Sequence, residues 1–407
     1  MSKIEELIKK LCPNGVEYCC LKNIGKHYTG LSGKTKKDFE MGNSRFISYT
    51  NIYNNPAIKL KTNDFVLINE NENQNYIKYK DILVAGSSEN LEDSGMISVV
   101  TQIPDEKIYL NSFCFGFRLN DNYYERFDAN FLKHYLRCAK FRNEIISCSF
   151  GVTRYNLSKD KFLKLKIPVP PLEVQEEIVR ILDKFGELEA ELEAELEARK
   201  SQYEFWREKL LRSGYEQVKL KNIAHYSSDR INSDDLNEDN YVGVDNLLQN
   251  KMGKTKSTHV PTSGNSTRFE VDDILIGNIR PYLRKIWIAN CDGGTNGDVL
   301  DIRVNNTEKV YPKYLYYVLS SEHFFEYNNS NAKGAKMPRG DKQAIMNYEL
   351  TIHSLEEQKK IANILDNFDK LVNDISEGLP AEIEARRKQY EYYRNKLLSF
   401  EELVVNE

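Results

Sequence analysis

The sequence predicts an α+β protein: two mixed α/β domains separated by two long helices that form an antiparallel coiled coil, with an internal pseudo-two-fold repeat. Three observations lead there. One helical block is written twice, LEVQEEIVRILDKF at Leu172–Phe185 and LEEQKKIANILDNF at Leu355–Phe368. A second block follows each copy, EARKSQYEFWREKLL at Glu197–Leu211 and EARRKQYEYYRNKLL at Glu384–Leu398. The offset grows from 183 to 187 positions, so the second copy holds four extra residues between its blocks. Upstream, KLCPNGVEYCCLKNI (Lys10–Ile24) parallels KLLRSGYEQVKLKNI (Lys209–Ile223). A repeat of this length fixes the architecture before any single element is assigned.

Each half then reads in one order. An LKNI segment leads to FISYTNI (Phe46–Ile52) or YVGVDNL (Tyr241–Leu247), then to KDILVAGS (Lys80–Ser87) or DDILIGNI (Asp272–Ile279). Phe46–Ile52, Ile82–Ala85, Ile97–Thr101, Phe113–Leu119, Ile274–Ile276 and Lys285–Ala289 are short, apolar and bounded by turn residues, which predicts strands. Phe131–Ile146 and Lys313–Tyr327 carry aromatic faces at helical spacing. "IPVPPLE" (Ile167–Glu173) ends the first globule, because consecutive prolines stop one element and stiffen the approach to the next. Beyond it Ile178, Ile181, Phe185, Leu188, Leu192, Leu196, Tyr203, Trp206 and Leu210 form a stripe at three- and four-residue steps. Ile361, Ile364, Phe368, Leu371, Ile375, Ile383, Tyr390, Tyr393 and Leu397 repeat it, interrupted at Gly378-Leu379-Pro380, where a helix kinks or restarts. The expected boundaries are 1–170 for the first domain with an N-terminal helix, 171–213 for the first spacer, 214–353 for the second domain, 354–400 for the second spacer and 401–407 for a tail.

Composition narrows the class. At 407 residues with 40% hydrophobic content the chain has material for two or three cores. No stretch approaches the ~20 apolar residues of a membrane span, and MSKIEELIKKL lacks the apolar centre of a signal peptide, so a cytoplasmic location is expected. Seven scattered cysteines and six dispersed histidines lack metal-ligand spacing, which predicts free thiols and no metal site. The net charge of −4 conceals a contrast: Glu187–Ala198 holds six glutamates and the tail three, and without those nine the rest carries +5. Basic surfaces are therefore compatible with the acidic average.

No catalytic constellation stands out. Gly33-Lys34-Thr35 and Gly253-Lys254-Thr255 resemble the end of a P-loop, but the required first glycine falls at Tyr28 and at Leu248. Asn54-Asn55-Pro56-Ala57 is not the Asn/Asp-Pro-Pro-aromatic run of adenine methyltransferases. What recurs in both halves is basic, aromatic and amide-rich loop material: GKTKK, SYTNIYNN and FGVTRYN in the first, KMGKTK, GNIRPYLRK and GAKMPRG in the second. Lysines neutralise phosphates, whereas Arg and Asn read guanine and adenine edges in the major groove. Exposed loops of any protein are also rich in Lys, Asn and Gly, so recurrence rather than composition carries the reading.

The Pro-Pro-Leu-Glu-x-Gln-x-x-Ile run and the repeat order resemble the specificity subunit of type I restriction–modification enzymes over essentially the whole chain. His353-Ser354 replaces Pro170-Pro171 at the second boundary, a departure that leaves this boundary less rigidly defined. The resemblance implies two target-recognition domains that read a bipartite DNA sequence, one half-site each, without catalysis in this chain. It implies double-stranded DNA, two modification (adenine methyltransferase) subunits and restriction/translocase subunits as partners, and no membrane. S-adenosylmethionine, ATP and magnesium are expected on those partners, with no cofactor here. By resemblance the DNA-contacting candidates are Lys34, Lys36, Lys37, Tyr49, Asn51, Tyr53, Ser87, Ser88, Arg154 and Tyr155 in the first domain. In the second they are Asn246, Lys254, Lys256, Asn278, Arg280, Arg284, Lys336 and Arg339. Tyr203, Trp206, Tyr390 and Tyr393 are candidate anchors for the modification subunits, with burial in the helical seam as the competing role.

Two other classes stay open on the residues alone, a nuclease with its site inside one globule and a coiled-coil scaffold that binds protein. ELEAELEAELEA (Glu187–Ala198) is built from good helix formers and lies in the middle of the first spacer. Each ELEA adds about 6 Å and turns the helix about 40° past a full revolution, so the repeat is expected to act as a ruler between half-sites.

Overall fold

The computed structural model describes residues 3–374 and 376–403. The chain forms two compact units, Met1–Glu191 with Ile383–Glu407, and Leu192–Glu382. Compactness therefore divides each helical spacer and assigns each part to a globule, where sequence boundaries had treated the spacers as separate segments. Ile375 of the second stripe and residues 404–407 of the tail lie outside the described residues.

The first unit is built on a four-stranded antiparallel sheet in the order Gly25–Thr29, Cys114–Leu119, Ile82–Ala85, Ile97–Val99. Alternation along Ile82–Ala85 serves two cores. Ile82 and Val84 join Phe115, Phe117, Phe131 and Phe162, while Leu83 and Ala85 join Ile47, Ile52 and Leu110. That two-sided burial explains why the strand reads as a continuous apolar run. The second unit repeats the plan with Ala224–Tyr226, Val299–Val304, Ile274–Gly277 and Ile286–Ile288. Ile274 and Ile276 face one core, and Leu275 packs with Val242 and Phe269 in the other. An ion pair between a partly exposed arginine and a buried aspartate recurs beside each sheet. Arg118 donates to Asp81 at 2.8 and 2.6 Å, and Arg303 to Asp273 at 2.8 to 3.1 Å.

Two expectations change. Phe46–Ile52 is not one strand: Ser44–Ile47 is a strand, and Tyr49–Asn54 turns into a helix. The helix lets Ile52 enter the core while Tyr49 and Tyr53 share a face one turn apart. The predicted helices Phe131–Ile146 and Lys313–Tyr327 are each a pair, Ala129–Tyr135 with Ala139–Ser147 and Pro312–Leu319 with Glu322–Ser330. In the second pair Ser321 caps the new helix by accepting from the Phe324 amide at 3.2 Å.

Leu172–Arg212 is one helix of 41 residues, and ELEAELEAELEA lies wholly within it. The second spacer is two helices, Leu355–Asn373 and Leu379–Leu397; the interruption expected from sequence ends at Gly378, and Leu379-Pro380 start the second helix. Pairing is antiparallel within each unit. In the first, Phe185 stacks on Tyr393 with centroids 5.4 Å apart, and Arg387 donates to Glu189 at 2.6 Å. In the second, Tyr203 stacks on Phe368 at 6.1 Å.

The glutamine of the repeated Leu-Glu-x-Gln motif has one role in both copies. Gln175 Oε1 accepts from the Asp128 amide at 2.8 Å, and its Nε2 donates to Arg126 O and Pro170 O at 2.8 and 2.7 Å. Gln358 Oε1 accepts from Tyr311 N at 2.8 Å, and its Nε2 donates to Lys309 O and His353 O at 3.0 and 2.8 Å. Each therefore ties the start of a spacer helix to the start of a globule helix. Ser354, in place of the second proline, caps its helix through the Glu357 amide, so the second boundary is as well defined as the first.

Candidate nucleic-acid interface

In the first unit the core strand Ile82–Ala85 runs on into Ser87–Ser88, which pairs with Tyr155–Leu157, itself paired with Ser149–Phe150. The hairpin turns at Gly151, whose φ of 128° suits glycine. Arg154 reaches back to Ser87 Oγ at 3.2 Å and lies 5.5 Å over the exposed Phe113 ring. Beside it the Tyr49 and Tyr53 rings stack at 6.2 Å, and Tyr53 Oη donates to Asp93 at 3.0 Å. That carboxylate holds the phenol above its usual range. A cavity of about 370 Å³ is lined by Tyr49, Tyr53, Ser87, Ser88, Asp93 and Arg154. Five sequence candidates thus come together on one face. Tyr155 lies in the adjoining strand, half-buried.

The second unit joins the corresponding parts. Asn278 follows the core strand Ile274–Gly277, and its carbonyl accepts from Gly340 N at 3.1 Å. Ile279 bridges to Arg339, and Arg280 N donates to Pro338 O at 2.7 Å. Arg280 and Arg284 flank Pro281-Tyr282-Leu283 with φ of 52° and 53°, a left-handed conformation that non-glycine residues rarely hold. Residues 277–285 and 333–340 contain six Lys and Arg and no acid. Arg280 and Lys336 are exposed. Arg339 is held by Asp298 at 3.0 Å and Arg284 by Glu322 at 2.7 Å. Asn278 is buried, with an Oδ1 that has no hydrogen-bond partner among the described residues.

Several candidates are engaged elsewhere. Lys34 is buried between Glu72 at 2.5 Å and Leu67 O at 2.6 Å, while Lys36 and Lys37 remain exposed on their short helix. Asn51 bonds Lys59 N and O, bracing a loop. Asn246 is buried, with its amide spent on Gly243 N, Tyr241 O and Thr255 O. Lys254 donates to Asp239 O beneath Trp287, and the exposed Lys256 pairs with Glu238 at 2.6 Å. These side chains stabilise loops, which explains why their composition alone resembled a contact surface.

The partner candidates divide too. Tyr203 and Tyr390 belong to the seams, Tyr203 against Phe368 and Tyr390 against Phe185. Tyr393 stacks on Phe185 but touches Tyr392, which is 62% exposed. Trp206, 37% exposed, meets the edge of Phe205, 61% exposed. The exposed Phe205 and Tyr392 stand at matching positions, since the repeat aligns EFWR with EYYR. Among the described residues no helix is long and apolar enough to cross a membrane, and no group of three His, Cys, Asp or Glu is placed to hold a metal.

Comparison with known proteins agrees with this architecture. Residues 13–198 and 212–385 both match the type I restriction modification DNA specificity domain. The chain is 34% identical over 306 residues to a type I restriction enzyme specificity subunit of Haemophilus influenzae, covering 68% of this chain and 73% of that one. It is 30% identical over 261 residues to the EcoR124I/EcoR124II specificity subunit of Escherichia coli, covering 58% of this chain and 63% of the relative. The match thus spans just under two thirds of the E. coli subunit. Two solved structures share the fold. One, from a study of complex assembly in a type I R-M system, gives a TM-score of 0.64 at 14% identity, covering 95% and 98% of the two chains. The other, the HsdS subunit of Thermoanaerobacter tengcongensis, gives 0.54 at 15%, covering 95% and 96%. With two copies of the domain matched across most of its length, the chain belongs to the type I restriction modification DNA specificity family.

Proposed function

We propose that this chain is the non-catalytic DNA-recognition subunit of a type I restriction–modification complex, and that each unit reads one half-site of a bipartite target. The observation that carries the reading is the same construction in both units: a buried core strand delivers its last residues to a surface hairpin. A rigid strand end that presents short polar side chains suits base readout, and flanking lysines and arginines suit phosphate contact. The two faces differ in chemistry. The first combines stacked tyrosines, serines and Asp93 with one arginine, a set rich in acceptors. The second has two acid-free basic loops, in which Asp298 and Glu322 from outside engage Arg339 and Arg284 and leave Arg280 and Lys336 exposed, a set rich in donors that fits guanine edges and phosphates.

In this reading the chain recruits two modification subunits, which carry S-adenosylmethionine and methylate adenine, and restriction/translocase subunits that use ATP and magnesium. Phe205 with Trp206, and Tyr392 with Tyr393, serve as aromatic anchors for the modification subunits. The ELEA repeat sets the distance between half-sites, and its glutamates keep the spacer from gripping the phosphates between them.

The test is to map methylated adenines in DNA exposed to this chain together with its modification subunit. The expected result is one motif of two short half-sites at a fixed separation. Affinity should fall steeply as salt rises, because neutralised phosphates release counterions. Equal binding of the assembled complex to all sequences would refute the reading and favour a protein-binding scaffold.

A further inference from the structure

A cavity of about 740 Å³ in the first unit is lined by three arginines from separate segments, Arg137, Arg142 and Arg394. None of them makes an ion pair among the described residues. Arg137 donates to the carbonyls of Ile97, Ile52 and Tyr53, and Arg142 to those of Glu92, Ser94 and Gly95. Arg394 lies 5.3 Å over the Tyr390 ring, and its buried Nε has no hydrogen-bond partner among the described residues. Burial, with Arg142 beside it, pushes the Arg137 guanidinium down to about 10. The two carboxylates in the wall are already engaged. Asp183 serves Lys133 at 2.7 Å and His134 at 2.8 Å, and Glu187 faces Lys184 at 3.3 Å. The cavity is left with uncompensated positive charge.

The second copy shows what compensation inside the chain looks like. Its matching cavity, about 610 Å³, has Ser320 in place of Arg137 and Arg207 in place of Arg394. Arg207 is 2% exposed, donates to the carbonyl and hydroxyl of Ser320 and pairs with Glu204 at 3.6 Å, although its Nε, like that of Arg394, has no partner among the described residues. Tyr317 replaces His134 and bonds Asp366, the counterpart of Asp183. With Arg137 at that place the first copy has a second guanidinium where the second copy offers a serine hydroxyl.

We propose that the cavity of the first unit is an anion site that receives an acidic side chain of a partner protein. This rests on the reading of the chain as a subunit that assembles with others. A guanidinium fork matches a carboxylate through two parallel hydrogen bonds. Pro56, Ala57, Met96 and Leu182 supply apolar wall for the stem of a peptide side chain. This apolar wall suits the methylene stem of a Glu or Asp side chain, which a phosphate backbone lacks, so a carboxylate side chain is favoured over nucleic acid.

The experiment titrates the full chain with hexaglutamate peptide by calorimetry, with inorganic phosphate and non-target duplex DNA as separate competitors. Arg394→Gln removes one guanidinium from the cavity, and Ala57→Phe fills the cavity without changing charge. Unfolding midpoints check that both variants fold. Both are expected to bind the peptide at least tenfold more weakly, while Lys360→Gln, an exposed lysine of the second unit outside any proposed contact surface, binds it as before. Unchanged peptide binding in the folded variants, or phosphate or DNA displacing the peptide as readily as free glutamate peptide does, would overturn the proposal. Sequence-specific DNA binding by the assembled complex is measured in parallel. Peptide binding at this cavity without any sequence preference would support the site while sinking the recognition reading.

Discussion

Replacing Gln175 with Ala isolates the bond that joins the first globule to its spacer helix. The side chain is fully buried and makes three hydrogen bonds to main-chain groups, at 2.7 to 2.8 Å. Truncation leaves the Asp128 amide and the carbonyls of Arg126 and Pro170 facing a void too small for good rehydration. Each lost bond is worth about 1 kcal/mol net, and a buried orphan donor costs about 1–3 kcal/mol. A loss of about 3–5 kcal/mol follows, which for a unit of this size lowers its melting temperature by about 10 °C. Hydrogen exchange gives the location: protection should fall around Arg126–Tyr135 and Ile167–Gln175, and stay unchanged at Lys309–Leu319. Gln358→Ala should produce the mirror image, since its three bonds are equivalent. A shift below about 2 °C, or a loss of protection spread evenly over both units, would refute the reasoning.

Other outcomes follow from the same geometry. Deleting one ELEA from Glu187–Ala198 shortens the helix by about 6 Å; against ~3.4 Å per base pair along a strand, the spacer between half-sites should lose one or two base pairs with the half-sites themselves unchanged, and altered half-site bases at constant spacing would contradict it. Asp301 is buried with no hydrogen-bond partner for either oxygen among the described residues, and burial, reinforced by nearby Asp273, pushes its carboxyl up to about 8. Its proton is retained on folding but lost on unfolding from its ordinary value of 3.8 upward, so the second unit should lose stability as pH rises from about 4 to about 8. Asp301→Asn should flatten that slope and raise the melting temperature most at pH 8, and an unchanged slope would exclude Asp301 as its source. The double variant Arg280→Gln/Lys336→Gln should reduce the salt dependence of DNA binding by about two phosphate contacts, read as a slope change of about 2 in log affinity against log salt. Phe205→Ala/Trp206→Ala should weaken association with the modification subunit tenfold or more while leaving the melting temperature within ~2 °C.

Local patterns carried a large share of this protein. The twofold repeat, the core strands Ile82–Ala85 and Ile274–Gly277, the long helix and its interrupted partner follow from periodicity, turn residues and helix propensity, which act over a few positions. The glutamine of Leu-Glu-x-Gln was visible as a motif, but its purpose was not. Its partners lie 47 and 49 residues away, and only packing brings them within reach. Ser44–Asn54 shows the same limit: a segment with strand composition bends into a helix because Ile52 must fill a core made by distant strands.

The functional face was legible as a set of loops and not as a set of side chains. Composition could not separate Lys34, buried on Glu72, from Lys336, exposed on an acid-free loop, because an ion pair with a residue 38 positions away leaves no trace in the neighbouring sequence. Nor could it assemble Arg137, Arg142 and Arg394 around one cavity, since they share no local pattern. By itself the sequence determined that two similar units exist and how far apart along the chain their parts recur, because propensity and periodicity are short-range. The tertiary structure alone decided which charges are spent inside each unit and which remain for a partner, because burial and ion pairing depend on contacts between segments remote in sequence.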